Sequence, residues 1–316
     1  MKRDPKPWRL IFMGTPAFAA PSLEALLAAG EEVAAVVTQP DKPKGRGQKI
    51  SPSPVKELAA AWNLPVLQPE KLKAPEFVTA LRDLAPELLI VVAYGRIITP
   101  EILALPTLGC LNVHASLLPR YRGPAPINWA LIRGEKETGV TIQWMKFEVD
   151  TGEVFLQERV PIREEDNAGT LYRKLAERGA ALLVQALEML RRGEALRENQ
   201  DESQVSYAPL LTTEMRRLNW ERSAKDAANW IRGLDPKPGA YTFFQGKILR
   251  LFGARVKKRE ARLATPGTAL GLAPQGLEIA CGAGSVTVAE LQLAGHKRLS
   301  AADFLRGQPL LKQVLG

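Results

Sequence analysis

The sequence is poor in the residues that build disulfide frameworks, metal centres and membrane spans. Its 316 residues include only two cysteines and two histidines. Cys110 and Cys281 lie far apart without a CxxC pair, so we expect neither a disulfide framework nor a bound metal. The longest apolar runs, such as 88–94, are much shorter than the roughly 20 residues of a membrane span, and no apolar signal-peptide core is visible. These shortages predict a cytoplasmic protein without a membrane contact.

What the sequence does contain is enough apolar residues for packed cores, together with an uneven distribution of charge. The chain is 46% hydrophobic and 24% charged, as folded domains are, and its length favours two domains. Residues 213–316 hold 17 of the 43 basic and 8 of the 34 acidic side chains, so the whole net charge of +9 lies there. A neutral part joined to a basic part is typical of binding to a polyanion, although a well-solvated surface explains the same charge.

The first half alternates short apolar runs with helical patterns. Ser53 and Thr99, each followed by proline, mark helix starts. Continuous apolar strands separated by helices indicate a parallel sheet covered on both faces. We therefore predict an α/β fold with a Rossmann-like, doubly wound sheet in the N-terminal domain. The predicted strands lie near 8–14, 32–39, 65–68, 87–94 and 108–115.

The second half changes character. The runs VTIQWMKF and VFLQERVPI predict a hairpin-like extension of the sheet, and a long amphipathic helix follows from about 170 to 192. A further helix at 224–234 and short strands with glycine turns predict a small OB-like β-barrel. The expected domains are a catalytic domain at 1–194, a linker of low periodicity at 195–212 and a basic barrel at 213–316.

The first strand-to-helix turn reads MGTPAFA (13–19), where a dinucleotide-binding fold carries GxGxxG. Only Gly14 is present, and the second glycine, which lets the backbone approach a pyrophosphate, is missing. A nicotinamide-dependent dehydrogenase is therefore disfavoured. A ligand can still lie over this turn, because the carboxyl ends of the strands face the crevice of such a sheet.

The segment QPDKPKGRGQK (39–49) follows the second strand and is crowded with cations. Lys42, Lys44, Arg46 and Lys49 stand in a context rich in glycine and proline. A solvated loop explains the pattern, but its position on the otherwise neutral half favours a basic finger that grips a phosphate backbone. Because the segment follows the carboxyl end of a strand, we expect it over the same crevice.

One of the two histidines, His114, ends the strand LGCLNVHA. Asn112 and His114 are two residues apart, so they point to the same face of the strand. A neutral imidazole accepts a proton, and an amide NH2 holds a developing oxyanion. A carboxylate is needed to orient the histidine, and Asp150 in the VDTG turn is the best candidate, although turn aspartates are common.

These motifs resemble the 10-formyltetrahydrofolate-dependent formyltransferase family. NVHASLLPRYRG followed by DTG at 150–152 carries the likeness, and MGTPAFA, TQPDKPKGRG, SPVKELA and ETGVTI occur in the family's order over essentially the whole chain. The family's catalytic asparagine, histidine and aspartate match Asn112, His114 and Asp150. Two positions depart, since Ala115 stands where glycine is usual and Tyr121 where tryptophan is frequent, but neither is one of the matched three.

The resemblance implies chemistry that the residues alone leave open. The implied donor is the co-substrate 10-formyltetrahydrofolate, and the implied acceptor is the α-amine of methionine on initiator tRNA, held by its acceptor arm. The basic segment around Arg46 and the C-terminal barrel are the implied tRNA contacts, and a monomer is expected. The implied folate contacts are Ser116, Leu117, Leu118, Pro119, Val92, Tyr94 and Gly95.

The expected reaction is direct attack of the amine on the formyl carbon through a tetrahedral intermediate. Asn112 and His114 donate to the developing oxyanion, and Asp150 polarises His114. Two alternatives stay open. Another formyl-folate enzyme, acting on a nucleotide or sugar amine or hydrolysing the donor, would keep the three residues but would not need the basic segments. A non-catalytic tRNA-binding protein on this fold would have no reason to keep all three.

Overall fold

The computed structural model of the chain describes residues 6–44, 49–258 and 264–316. They form two compact units built from interleaved segments of the chain. Because the units do not follow chain order, they differ from the predicted boundaries at 194 and 213, which stay predictions. The N-terminal unit comprises Met1–Pro124, Thr138–Val160 and Tyr172–Ala208, and the C-terminal unit comprises Ala125–Glu137, Pro161–Leu171 and Pro209–Gly316.

Strands and helices alternate through the first part of the chain. In order, these elements are β1 (Arg9–Gly14), α1 (Ala20–Ala28), β2 (Glu32–Val37), β3 (Lys42–Lys44), β4 (Lys49–Ser51), α2 (Pro54–Ala61), β5 (Val66–Leu67), α3 (Pro75–Asp83), β6 (Leu88–Val92), α4 (Pro100–Leu103), β7 (Gly109–His114), α5 (Pro126–Ile132), β8 (Glu137–Trp144), β9 (Val154–Pro161) and α6 (Ala168–Arg191).

A seven-stranded sheet with the order β5-β2-β1-β6-β7-β8-β9 organises the N-terminal unit. The strands from β5 to β7 are parallel to their neighbours, whereas β8 is antiparallel to β7. The predicted Rossmann-like sheet is therefore confirmed. Its core lies between the sheet and the helices and includes Ile11, Met13, Val37, Phe77, Leu81, Leu89 and Val91.

The local sequence explains where these elements begin. The Ser53 hydroxyl accepts a hydrogen bond from the backbone N–H of Lys56, and Thr99 caps α4 in the same way, each with proline at the first helical position. Gly14 ends β1 where a Cβ would lie 2.7 Å from the Cβ of Ala19. The single glycine of the first turn is thus explained by close packing of strand and helix.

The C-terminal unit is an antiparallel sheet with helices beside it, in keeping with the predicted barrel-like domain. Its strands run in the order β10-β11-β14-β13-β12, with β15 pairing to β14. The helix α5 belongs to this unit because the Asn128 amide donates to the Gly233 carbonyl at 2.7 Å. The remaining elements are α7 (Ala224–Leu234), β10 (Ala240–Phe244), β11 (Lys247–Lys258), β12 (Ala269–Ala273), β13 (Gly276–Ala280), β14 (Ser285–Leu293), β15 (Leu299–Ser300) and α8 (Ala301–Gly307).

Candidate active site

Strand β7 ends at the carboxyl edge of the parallel strands and carries two of the predicted catalytic residues. In the ladder with β8, Asn112 is opposite Gln143 and His114 is opposite Thr141. His114 is 7% exposed, whereas Asn112 is half-buried. None of the side-chain hydrogen bonds found among the described residues uses the Asn112 amide. Its NH2 group is therefore available to a ligand.

His114 is held between two acceptors. Its Nδ1 lies 3.5 Å from Oδ1 of Asp150, and its Nε2 lies 3.0 Å from the carbonyl oxygen of Tyr121. A carbonyl oxygen can only accept, so Nε2 carries the hydrogen of that contact, and Nδ1 faces the carboxylate. The structure thus brings His114 and Asp150 together. The Tyr121 carbonyl was not predicted, because no side-chain signal marks a backbone acceptor.

The Asp150 carboxylate has two further donors. Its Oδ2 accepts from the backbone N–H of Gly123 at 2.8 Å, and its Oδ1 accepts from Nε2 of Gln143 at 3.0 Å. Only 12% of the side chain is exposed. These hydrogen bonds fix the direction of the carboxylate toward His114.

The backbone of the DTG turn has an unusual conformation. Asp150 has a φ of +57°, a left-handed conformation that costs a residue with a side chain about 1–2 kcal/mol. Gly152 packs so closely that a Cβ would lie 1.6 Å from the Trp144 carbonyl oxygen. Ala93 and Tyr121, in loops of the same unit, also have positive φ. Such conformations persist where surrounding contacts enforce them, and they cluster at functional sites.

The loop SLLPRYRG after β7 is held by hydrogen bonds within the loop and from β9. The Ser116 hydroxyl donates to the Arg120 carbonyl at 2.6 Å, and Gln157 donates to the Leu118 carbonyl at 2.8 Å. Among the predicted folate contacts, Ser116 and Leu118 are buried, whereas Leu117 and Pro119 keep exposed surface. Leu117 and Pro119 are therefore the members of this set with accessible side chains.

The other predicted folate residues follow β6. The side chains of Val92 and Tyr94 are buried in the core, and burial raises the pKa of the Tyr94 phenol. The Tyr94 carbonyl accepts from the Thr15 hydroxyl at 3.2 Å and from the Gln39 amide at 2.8 Å. These bonds join the loops that follow β1, β2 and β6. The side chains of Val92 and Tyr94 are therefore inaccessible to a ligand, and the folate contact expected here stays a prediction.

Gly95 completes this edge with bare backbone. Its φ is +80°, and a Cβ would lie 2.8 Å from Nε2 of Gln39. A larger residue would strain the backbone and displace Gln39. The Gln39 side chain therefore packs directly against Gly95 in the space that a larger residue would need.

The basic segment after β2 forms a two-stranded antiparallel pair of β3 and β4. The Lys42 ammonium donates to Oε1 of Gln39 at 2.9 Å, the residue that bonds the Tyr94 carbonyl. Arg46 lies outside the described residues, and so do the side chains of Lys44 and Lys49. The strand pairing was not predicted, because a composition rich in glycine and proline indicates a loop.

The segment interpreted as a linker supplies residues that sequence reasoning missed. Nε2 of Gln200 donates to the carbonyls of Asp150 and Gly152 at 2.8 and 2.7 Å. The backbone N–H of Arg122 donates to the Ser206 carbonyl at 2.9 Å. Low periodicity hid this role, since isolated polar side chains that bond a distant loop leave no repeating pattern.

Clusters of metal ligands and membrane-spanning helices are both absent from the described residues. They contain no group of three or more His, Cys, Asp or Glu arranged to hold a metal ion. Within the same ranges, the helices are too short or too polar to cross a bilayer.

Comparison with known proteins extends over both units. Residues 8–187 match the family described as formyl transferase, and residues 210–309 match its C-terminal domain. A curated protein of Pelotomaculum thermopropionicum named methionyl-tRNA formyltransferase is 53% identical over 97% of this chain and 98% of its own length. A protein of the same name from Geobacter sulfurreducens is 48% identical over 95% of this chain and 93% of its own.

Solved structures of lower identity share the fold. HypX from Aquifex aeolicus, in complex with tetrahydrofolic acid, gives a TM-score of 0.66 at 22% identity over 95% of this chain. The chain spans 47% of that protein. An N-formyltransferase from Helicobacter canadensis, in complex with folinic acid and dTDP-3-aminofucose, gives 0.64 at 18% identity over 89% of this chain and 98% of its own.

Proposed function

The chain belongs to the formyl transferase family, and from that premise we propose that it transfers a formyl group from 10-formyltetrahydrofolate to methionyl-tRNA. One observation carries the proposal, namely 53% identity over 97% of the chain to a curated methionyl-tRNA formyltransferase. The imidazole–carboxylate contact of His114 and Asp150 supports it. We further assign the acceptor as initiator tRNA, bound by its acceptor arm to a monomeric enzyme in the cytoplasm.

The proposed chemistry needs a stabilised oxyanion and a path for one proton. The neutral amine attacks the formyl carbon, and the formyl oxygen gains negative charge in a tetrahedral intermediate. The Asn112 amide donates to that oxygen, and His114, polarised by Asp150, donates to it too. The proton lost by the amine reaches the departing folate nitrogen through His114 or a water molecule.

The Tyr121 carbonyl adds a constraint to this scheme. It accepts from Nε2 of His114 at 3.0 Å, so a substrate oxygen must take over that N–H to be stabilised by it. The exchange replaces a neutral acceptor by an anionic one, and charge-assisted hydrogen bonds are about twice as strong. The interaction therefore strengthens as the oxyanion forms, which is what catalysis requires.

Apolar groups and cations near the candidate site suit the two substrates. Leu117 and Pro119 offer partly exposed apolar groups, and Gly95 offers bare backbone, which together suit a flat heteroaromatic ring of the donor. Lys42 is exposed beside the same crevice. We assign it, together with Lys44, Arg46, Lys49 and the basic C-terminal unit, to the phosphate backbone of the tRNA.

A transfer assay with labelled formyl donor tests the proposal. The acceptors are methionyl initiator tRNA, methionyl elongator tRNA and a nucleotide-linked amino sugar. We expect label on the initiator tRNA, less on the elongator tRNA and none on the amino sugar. Label on the amino sugar alone would move the chain to another formyltransferase specificity. Release of free formate without transfer would indicate hydrolysis of the donor.

A further inference from the structure

The segment 200–208 of the N-terminal unit runs along the loop SLLPRYRG and is hydrogen-bonded to it. The backbone N–H of Ala208 donates to the Arg122 carbonyl at 2.8 Å. The Ser206 hydroxyl accepts from the Tyr121 N–H at 3.0 Å. Together with the bond from Arg122 to the Ser206 carbonyl, these contacts hold the segment on the loop that also supplies the Gly123 N–H to Asp150.

Within this segment, both ends of the Gln200 amide form hydrogen bonds at the candidate site. Its NH2 group donates to the carbonyls of Asp150 and Gly152. Its Oε1 accepts from Nε and Nη2 of Arg122 at 3.0 and 2.8 Å. The amide has one orientation that satisfies these partners, because a reversed amide would set its oxygen against two carbonyls and its NH2 against a guanidinium.

Arg122 is well suited to orient Gln200. It is 4% exposed, and a buried guanidinium needs partners for its donors. Besides Gln200, it contacts Glu202, whose Oε1 lies 2.7 Å from Nη2 and whose side chain is 72% exposed. The hydrogen bond from Arg122 lowers the pKa of Glu202. The contacts therefore run from a solvent-exposed carboxylate through Arg122 and Gln200 to the backbone of Asp150.

We propose that Gln200, oriented by Arg122, is a positioning residue for Asp150. It holds the left-handed backbone of the DTG turn by two carbonyls, so that the Asp150 carboxylate faces His114 while the neighbouring Gly123 N–H holds its other oxygen. The inference rests on the proposed function, because Gln200 maintains the His114–Asp150 contact that the proposed reaction uses. Gln200 itself touches no reacting atom and acts through Asp150.

The experiment compares three single variants of the full chain. Gln200→Leu removes the amide, and we expect turnover to fall about 100-fold, the effect of misplacing a reacting group by about 1 Å. Gln200→Glu keeps acceptors for Arg122 but sets a carboxylate oxygen against two carbonyls, so we expect a similar fall. Gln204→Leu, which changes an exposed glutamine of the same segment whose amide donates to Asp201, should stay within about threefold. The KM values should change little in all three, because no group that binds substrate is removed.

A double-mutant cycle with Asp150→Asn separates positioning from a general structural role. If Gln200 acts through the Asp150 carboxylate, Gln200→Leu should cost less than about threefold in the Asp150→Asn background. An equal loss in both backgrounds overturns the inference, and so does unchanged turnover of both Gln200 variants. If Gln200→Leu does not fold, as judged by thermal unfolding, the cycle is run with Gln200→Glu.

The wild-type protein is assayed beside the variants with the same acceptor. Absence of any transfer by the wild type overturns the proposed function and this inference with it. Transfer by the wild type with no loss in the Gln200 variants overturns the inference alone. The two failures are therefore distinguishable.

Discussion

The candidate site of the N-terminal unit and the surface of the C-terminal unit hold charged groups in different environments. In the N-terminal unit, the ionisable groups of the candidate site are buried, with His114 7% and Arg122 4% exposed. In the C-terminal unit, exposed guanidiniums lie over aromatic rings, with Arg222 4.4 Å from the Trp230 ring centre. Buried groups depend on partners within a few ångströms, whereas exposed cations act over longer distances and are screened by salt. The first environment suits chemistry, and the second suits a polyanion.

The backbone shows the same contrast. The N-terminal unit has left-handed residues with side chains, Tyr121 and Asp150, in loops where distant segments hold them. In the C-terminal unit, Gln245 and Gly246 have positive φ because they form the two-residue turn between β10 and β11. Tertiary contacts therefore hold the left-handed residues of the candidate site, whereas Gln245 and Gly246 have the geometry of an ordinary two-residue turn.

The largest expected effect compares the two histidines. His114→Ala should lower turnover about 1,000-fold or more, because it removes the imidazole that is proposed to stabilise the oxyanion and to move the proton. His296→Ala, which changes an exposed residue of the C-terminal unit, should leave turnover within about twofold. Steady-state kinetics with labelled donor measures both. Near-normal turnover of His114→Ala would contradict the proposal that the N-terminal unit carries the chemistry.

Two glycines give the next comparison. In Gly152→Ala the new Cβ meets the Trp144 carbonyl oxygen, whereas at Gly246 no atom lies within 4 Å. We expect Gly152→Ala to lower the free energy of unfolding by at least about 3 kcal/mol and Gly246→Ala by about 1–2 kcal/mol, the cost of a left-handed alanine. Urea unfolding followed by circular dichroism measures both. Equal losses would contradict the close packing of the DTG turn.

Paired lysine variants test the contrast in charge. Lys247→Gln with Lys297→Gln neutralises two exposed lysines of the C-terminal unit, and Lys71→Gln with Lys73→Gln does the same in the N-terminal unit. The first pair should weaken tRNA binding and reduce the slope of log affinity against log salt by about 1–2, since each lost phosphate contact contributes about 0.7–0.9. Filter binding at several salt concentrations measures the slope. Equal behaviour of the pairs would favour a merely solvated basic surface.

The smallest difference is expected between the two cysteines, one in each unit. Burial raises the pKa of both Cys110 and Cys281 to about 12. The charged thiolate is the disfavoured form, so at pH 8 only about 0.01% of either thiol is ionised. A thiol reagent should therefore leave both unmodified in the folded protein and modify both in denaturant. Rapid labelling of either cysteine at pH 8 would contradict its burial.

Much of the fold could be predicted because its signals are local. Apolar runs and helix caps such as Ser53 report on neighbouring residues, and the strands and helices of the sheet followed from them. The alternation of β7 likewise put Asn112 and His114 on one face. Two features have no such local signal, namely the pairing of β3 with β4 and the membership of α5 in the C-terminal unit. Both depend on contacts that form only when the chain folds.

The sequence by itself determined the class of fold, the family and the strand that carries Asn112 and His114. Only the tertiary structure decided that the Tyr121 carbonyl faces His114, and that Gln200, in a segment interpreted as a linker, holds the turn of Asp150. The reason is the range of the interactions. Periodicity and capping act over a few residues, whereas the carboxylate and the backbone of Asp150 accept hydrogen bonds from residues 27 and 50 positions away.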